Sequence, residues 1–226
     1  MHLVRCTLTL HDTLYYATRE MGILYETGQY LHNYALSYAF FNDSCVQRPY
    51  FCQSYRPEYA ADLAPLTEER IYVTPAEPIH YDYLLATWKI GQVGYYRKSE
   101  QFGGRNYPAN YGRAKELAPE SIFVCYMLSA LPLTPPRWIR LGKWNSKALV
   151  EAEEIPLKLA SGAYRAACPL NPLDVPAGIL RAFDIISMPP ASLVANARCA
   201  GQYYALGDGR GIPVGMAYTF PKDRRS

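Results

Sequence analysis

Near the start of the chain Val4, Cys6, Leu8 and Leu10 alternate with Arg5, Thr7 and Thr9. A period of two marks a strand with one buried face, so His2 to Leu10 is expected to open the fold as a core strand. From Tyr30 the spacing changes. Tyr30, Leu31, Tyr34, Ala35, Tyr38 and Ala39 recur at helical intervals. Thr27 is placed to cap that helix and Asn42-Asp43 to stop it, which predicts a helix from Thr27 to about Phe41. Tyr30, Tyr34 and Tyr38 share one stripe, expected to meet another subunit or a packed C-terminal region. Ile122 to Leu128 is an unbroken apolar run of strand length, rich in β-branched and aromatic residues, hence a buried strand.

Between these elements the pattern loosens. Pro49, Pro57, Pro65, Pro75 and Pro78 interrupt residues 47–78 and predict an excursion with little regular structure. Tyr81 to Tyr96 is extended in character. Near the end, Gln202 to Leu206 and Ile212 to Phe220 flank Gly207-Asp208-Gly209-Arg210-Gly211, the pattern of a hairpin around a glycine-rich turn. A strand followed by a helix is how a ferredoxin-like or RRM-like domain begins. The expected fold class is therefore α+β. An RRM-like domain would span residues 1–150, with a long basic hairpin arm at about 97–118. A smaller β-rich C-terminal part, 151–226, would pack on it.

Charge adds a location. The 226-residue chain carries a net charge of only +3. Yet from Ala86 to Lys147 ten Lys or Arg stand against Glu100, Glu116 and Glu120. A basic middle between acidic flanks indicates a localised anionic partner. Its densest part is Pro135 to Ala148, where Arg137, Arg140, Lys143 and Lys147 are met by no acid. Trp138 and Trp144 lie among them, and Gly142 allows a sharp turn that would present Lys143, Asn145, Ser146 and Lys147 together. Cations and small donors beside stackable rings suit a phosphate-sugar backbone with unstacked bases. The arm repeats the theme with Arg97, Lys98, Arg105, Tyr107, Tyr111, Arg113 and Lys115.

Other chemistries find little support. The six cysteines have no C-x-x-C spacing and no disulfide-framework density, which fits a reduced, cytoplasmic protein. The longest apolar run is too short to span a bilayer, so no membrane partner is expected. His2, His11, His32 and His80 lack metal-ligand spacing, so neither a metal nor a cofactor is expected. Gly142-Lys143 is not a phosphate-binding P-loop, the Gly207 turn lacks G-x-G-x-x-G spacing, and no G-x-S-x-G elbow occurs. The RRM aromatic-basic signature is absent too. One enzymatic alternative stays open: metal-independent RNA cleavage, with His11, His80, Tyr81 and Lys143 as the groups to be brought together.

Leu10-His11-Asp12, Ala17 to Gly22, Tyr25-Glu26-Thr27, Leu31 to Ala39 and Trp138 to Ala148 together resemble one family. It is the subunit that caps the 5′ handle of the CRISPR RNA in type I-D Cascade, a member of the RAMP superfamily. The resemblance is close over about 1–40 and 80–150 and looser in the C-terminal third. It implies a non-catalytic assembly subunit that holds the guide RNA handle beside the backbone subunit and the large subunit, with target DNA nearby. It adds Arg19 to the RNA-binding candidates Arg97, Lys98, Arg105, Tyr107, Tyr111, Arg113, Arg137, Arg140, Lys143, Trp144, Ser146 and Lys147. A related subunit of another subtype cleaves precursor RNA, which keeps a metal-independent endoribonuclease as the alternative.

Overall fold

The computed structural model describes residues 1–41, 57–89 and 111–220, with Trp88, Lys89 and Tyr111 described at the level of the backbone. The organising element is β1 (His2–Leu10), hydrogen-bonded along both edges. It runs antiparallel to β8 (Ile122–Ser129) on one side and to β10 (Ser146–Ile155) on the other. β4 (Tyr72–Val73) and β5 (Glu77–His80) pair with the outer edge of β8, and β9 (Trp138–Leu141) closes the far side against β10. The alternation in β1 acts as expected: Val4, Cys6, Leu8 and Leu10 are buried. Each such apolar side chain contributes about 1.5–3 kcal/mol by leaving water. β8 is buried on both faces, as its unbroken apolar run predicts.

A second sheet is built from β2 (Arg19–Met21), β3 (Leu24–Glu26), β7 (Tyr111–Leu117) and β6 (Tyr83–Lys89), in that order. β6 falls in the segment expected to be extended, whereas β7 lies inside the arm expected at 97–118. Residues 111–117 form a strand of this sheet, with Ala114 and Leu117 buried, and are not part of a projecting loop. Of the arm, 97–110 lies outside the described residues. A third sheet comprises β11 (Leu159–Ala166), β12 (Leu180–Ile186), β13 (Leu193–Gly207) and β14 (Arg210–Pro213). The boundary expected at residue 150 falls inside β10.

The class expectation needs correction. With fourteen strands and three helices among the described residues, the protein is mostly β rather than α+β. Two physical reasons stand out. After β8 the chain carries Pro132, Pro135 and Pro136, which deny a helix its backbone donors. The helix α1 is also shorter than its periodicity suggested, running Asn33–Phe41. Thr27 does not cap it. That residue is buried, its Oγ1 accepts from the Tyr16 amide at 3.3 Å, and its own amide donates to the Lys115 carbonyl at 3.0 Å. The next turn of chain is diverted by a bridge between Leu31 and Ala76. The 47–78 excursion holds, within the described residues, two short helices, α2 (Tyr59–Asp62) and α3 (Ala64–Glu68), besides β4 and β5.

Tyr34 and Tyr38 of the predicted stripe are buried: Tyr34 meets the chain's own C-terminal region, while Tyr38 donates its hydroxyl to Asp62 and packs near Tyr59. Residues 214–220 return to α1. There the Tyr34 hydroxyl donates to the Thr219 carbonyl at 2.8 Å, and Tyr218 shares a 2.6 Å hydrogen bond with Ser37. The Tyr218 oxygen also accepts from the Val73 amide at 3.0 Å. Asp174 binds the pieces together: its Oδ2 accepts from Asn33 at 2.8 Å and Tyr72 at 2.9 Å, its Oδ1 from the Thr219 amide at 2.8 Å. Burial nevertheless pushes this carboxyl up to about 6.

Candidate nucleic-acid interface

The basic stretch folds as the β9–β10 hairpin. Along β9, Ile139 and Leu141 are buried while Trp138 and Arg140 face out. Gly142 and Asn145 take left-handed conformations at φ 67° and 53°, which closes the turn. Residues 11–15 clamp that turn. The Lys143 amide donates to the Tyr15 carbonyl at 2.9 Å, the Ser146 hydroxyl to the Thr13 carbonyl at 2.5 Å, and the Lys147 amide to Asp12 Oδ2 at 2.9 Å. Gly142 is required by more than its φ. A Cβ there would lie 2.6 Å from the Tyr15 carbonyl oxygen.

Rings and cations alternate on the outside. Trp144 stacks on Tyr15 with centroids 5.3 Å apart and planes 23° off parallel. Lys147 Nζ lies 3.9 Å from the centre of the Trp138 ring, which also meets His11 in a T-shaped pair with centroids 4.9 Å apart. Arg140 donates to the Asn145 carbonyl at 3.0 Å, which holds its guanidinium over the turn.

Beside this hairpin opens a cleft of about 1040 Å³. One wall is the hairpin with Trp138, Arg140, Lys143 and Lys147. The facing wall is α1 with Tyr34, Tyr38 and Phe41, and Met188 to Pro190 closes an end. Among the described residues no carboxylate lines it. His32 lies in the same wall, and burial lowers its imidazole to about 4, so it is neutral. Its Nδ1 accepts from the Tyr34 amide at 3.2 Å, so Nε2 carries the proton and donates to the Ala191 carbonyl at 3.2 Å.

The sequence candidates separate into groups. Arg140, Lys143 and Lys147 line the cleft. Trp144 and Arg137 are exposed close by but do not line it. Ser146 corrects an expectation: it is buried, with its hydroxyl given to Thr13, because β10 has already begun and its alternation turns that side chain inward. Arg19 and Arg113 stand exposed on the β2–β3–β7–β6 sheet and are not part of the cleft. There Glu26 lies 3.8 Å from Arg19 and 2.8 Å from Lys115, whose hydrogen bond holds its carboxyl below the usual range. Arg97, Lys98, Arg105 and Tyr107 lie outside the described residues, as does the side chain of Tyr111. Trp138, read in the sequence as a stackable ring, and His11, named only for cleavage, were not among the residues expected to contact RNA. The period of two along β9, which puts Trp138 on the same face as Arg140, is the signal that finds the first.

The groups named for RNA cleavage do not converge. His80, Ile122, Thr9, Leu149 and Trp138 form one row across the sheet, each the register partner of the next. Four strand spacings put His80 about 19 Å from the Trp138–His11 end. Tyr81 donates its hydroxyl to Gln29. Among the described residues no group of three or more His, Cys, Asp or Glu is placed to hold a metal. No helix among them is long and apolar enough to cross a membrane.

The fold is similar to that of a chain in the type III-B Cmr-beta complex bound to cognate target RNA and AMPPnP. The TM-score is 0.50 at 11% identity, covering 87% of this chain and 86% of that one. At that identity the likeness is one of fold alone. No curated protein matches the sequence. The family is nonetheless plain: the chain belongs to the type I-D CRISPR-associated Cas5/Csc1 proteins, whose family model matches residues 1–221. It is a CRISPR effector subunit.

Proposed function

We propose that the protein caps the 5′ handle of the guide RNA in a type I-D Cascade, without cleaving it, and holds that handle in the cleft between α1 and the β9–β10 hairpin. The observation that carries this reading is the make-up of the cleft: Arg140, Lys143 and Lys147 with Trp138 at one wall, aromatic rings at the other, and no lining carboxylate among the described residues. Lysine and arginine serve the phosphates, and the exposed Trp138 ring serves a base that leaves the stack. The strand order β4/β5–β8–β1–β10, with α1 following β1, supports reading this sheet as a ferredoxin-like core. In this reading the β9 strand replaces the second helix, and the β6–β7 pair carries the arm toward the backbone subunit. The large subunit and the target DNA then meet the complex beside the handle, where base pairing reads the target and protein grips shape and charge.

Purified protein incubated with repeat RNA in the presence of a chelator tests the reading. Salt-sensitive binding with intact RNA is the expected result. Cleavage would replace it with the ribonuclease, and neither binding nor cleavage would leave only a scaffold.

A further inference from the structure

A second cavity, of about 160 Å³, lies at the seam between the β1-centred sheet and the C-terminal sheet. Glu77 of β5, Arg165 of β11, Asn196 of β13 and Arg210 of β14 line it, together with Tyr30. The two arginines are brought together by backbone. β11 and β14 run parallel with Arg165 the register partner of Arg210. The Arg165 amide donates to the Gly209 carbonyl at 3.0 Å and the Ala167 amide to the Gly211 carbonyl at 2.9 Å. This ladder depends on Gly211, because a Cβ there would strike the Tyr203 ring and lie 2.7 Å from the Tyr204 carbonyl oxygen. The glycine-rich turn therefore places one cation directly beside another. Like charges in neighbouring register positions repel.

Their surroundings do not neutralise them fully. Arg165 Nη2 donates to Asn196 Oδ1 at 2.6 Å, and Asn196 Nδ2 donates to Asp184 at 2.7 Å, which fixes one edge of that guanidinium. The Arg210 side chain has no hydrogen bond or ion pair among the described residues. Glu77 is the one carboxylate in the lining; neither arginine comes within ion-pair distance of it among the described residues, though both counter the upward push that burial gives its carboxyl. Two guanidinium groups against one carboxylate leave a single positive charge. That balance suits a monoanionic diester better than a dianionic free phosphate. Guanidinium forks match phosphate oxygens in geometry as well. The cavity also adjoins the cleft along the chain: Tyr30 lines the one, Leu31 and His32 the other.

From these observations we propose that Arg165 and Arg210 form a second phosphate site that takes one phosphodiester of a single-stranded nucleic acid. The source of that phosphate rests on the reading of the cleft above, since a strand held there has further phosphates to place.

The test is binding of a labelled single-stranded RNA carrying the handle to the full chain across a salt series. The proteins compared are wild type, Arg165→Ala/Arg210→Ala, Arg210→Ala alone and Lys143→Ala/Lys147→Ala. Loss of one phosphate contact is expected to weaken binding by the first double variant at least fivefold and to lower its salt slope by about 0.7. Arg210→Ala keeps the Arg165–Asn196 bond and gives the same reading should the double variant melt early. Unchanged affinity and slope in a folded variant overturn the proposal. A rise in melting temperature with inorganic phosphate at constant ionic strength, present in wild type and absent from the arginine variant while RNA affinity is the same in both, also overturns it, in favour of a free-anion site. If only the lysine variant keeps wild-type binding, the cleft reading fails and this site stands.

Discussion

Lys147 Nζ sits 3.9 Å above the centre of the Trp138 ring, on the rim of the cleft and across β9 and β10 from one another. The ring's π face stabilises the ammonium, and Trp138 itself remains partly exposed. A phosphate and a base can therefore be met by adjacent groups. Trp138→Ala is expected to weaken binding of single-stranded RNA by about 1–3 kcal/mol with little change in salt slope. Lys147→Ala should lower that slope by about 0.7. Titrations at three salt concentrations distinguish the two. Equal slopes in both variants would contradict the division of labour.

Gly142→Ala should destabilise the fold. The substitution forces an L side chain into a left-handed conformation and against the Tyr15 carbonyl oxygen. A cost of about 1–3 kcal/mol is expected, and at this size each kcal/mol lowers the melting temperature by about 2–4 °C. Thermal unfolding monitored by circular dichroism checks it. A variant that melts with wild type would show that the turn moves freely from residues 11–15.

Tyr218→Phe removes the acceptor of the Val73 amide and the partner of Ser37. A buried donor left without a partner costs about 1–3 kcal/mol, so the melting temperature should fall by several degrees. Urea unfolding gives the same difference as a shift in midpoint. No shift would mean that residues 214–220 contribute little to α1.

Two buried groups pull the pH profile in opposite directions. Asp174, raised from 3.8 to about 6, favours the folded state below pH 4, and that contribution is lost as pH rises toward 6. His32, lowered from 6.5 to about 4, favours the folded state above pH 6.5, and its contribution is lost as pH falls toward 4. Between pH 4 and 6 the slopes offset one another. Asp174→Asn removes one of them and should leave stability falling steadily with acid over that range. Urea midpoints measured from pH 4 to 7 follow the effect, and a variant with the same profile as wild type would remove Asp174 from the balance.

The first strand, the buried β8 and the C-terminal hairpin turn were legible because each is stated locally, by alternation, by an apolar run or by closely spaced glycines. The start of α1 was not. Its position depends on Leu31 pairing with Ala76, and nothing near Thr27 announces a partner so far along the chain. The hairpin was likewise legible as a cluster of cations, whereas the cleft beside it was not. Its other wall comes from α1 and from Met188 to Pro190, which only the packed fold brings opposite Lys143. Ser146 shows the limit of composition as a guide: a hydroxyl among lysines reads as a ligand contact until strand alternation turns it inward.

The double pairing of β1 carries a consequence for synthesis. Its partners begin at Ile122 and Ser146, more than a hundred residues after Leu10. At about 5–20 residues per second, the ribosome leaves an apolar strand with two open edges waiting roughly 6–20 s for the first of them. During that interval Val4, Cys6, Leu8 and Leu10 present a sticky ribbon to every other nascent chain. Growth of the polypeptide itself, and not only the later docking of subunits, is thus the stage at which this protein most needs a chaperone's protection.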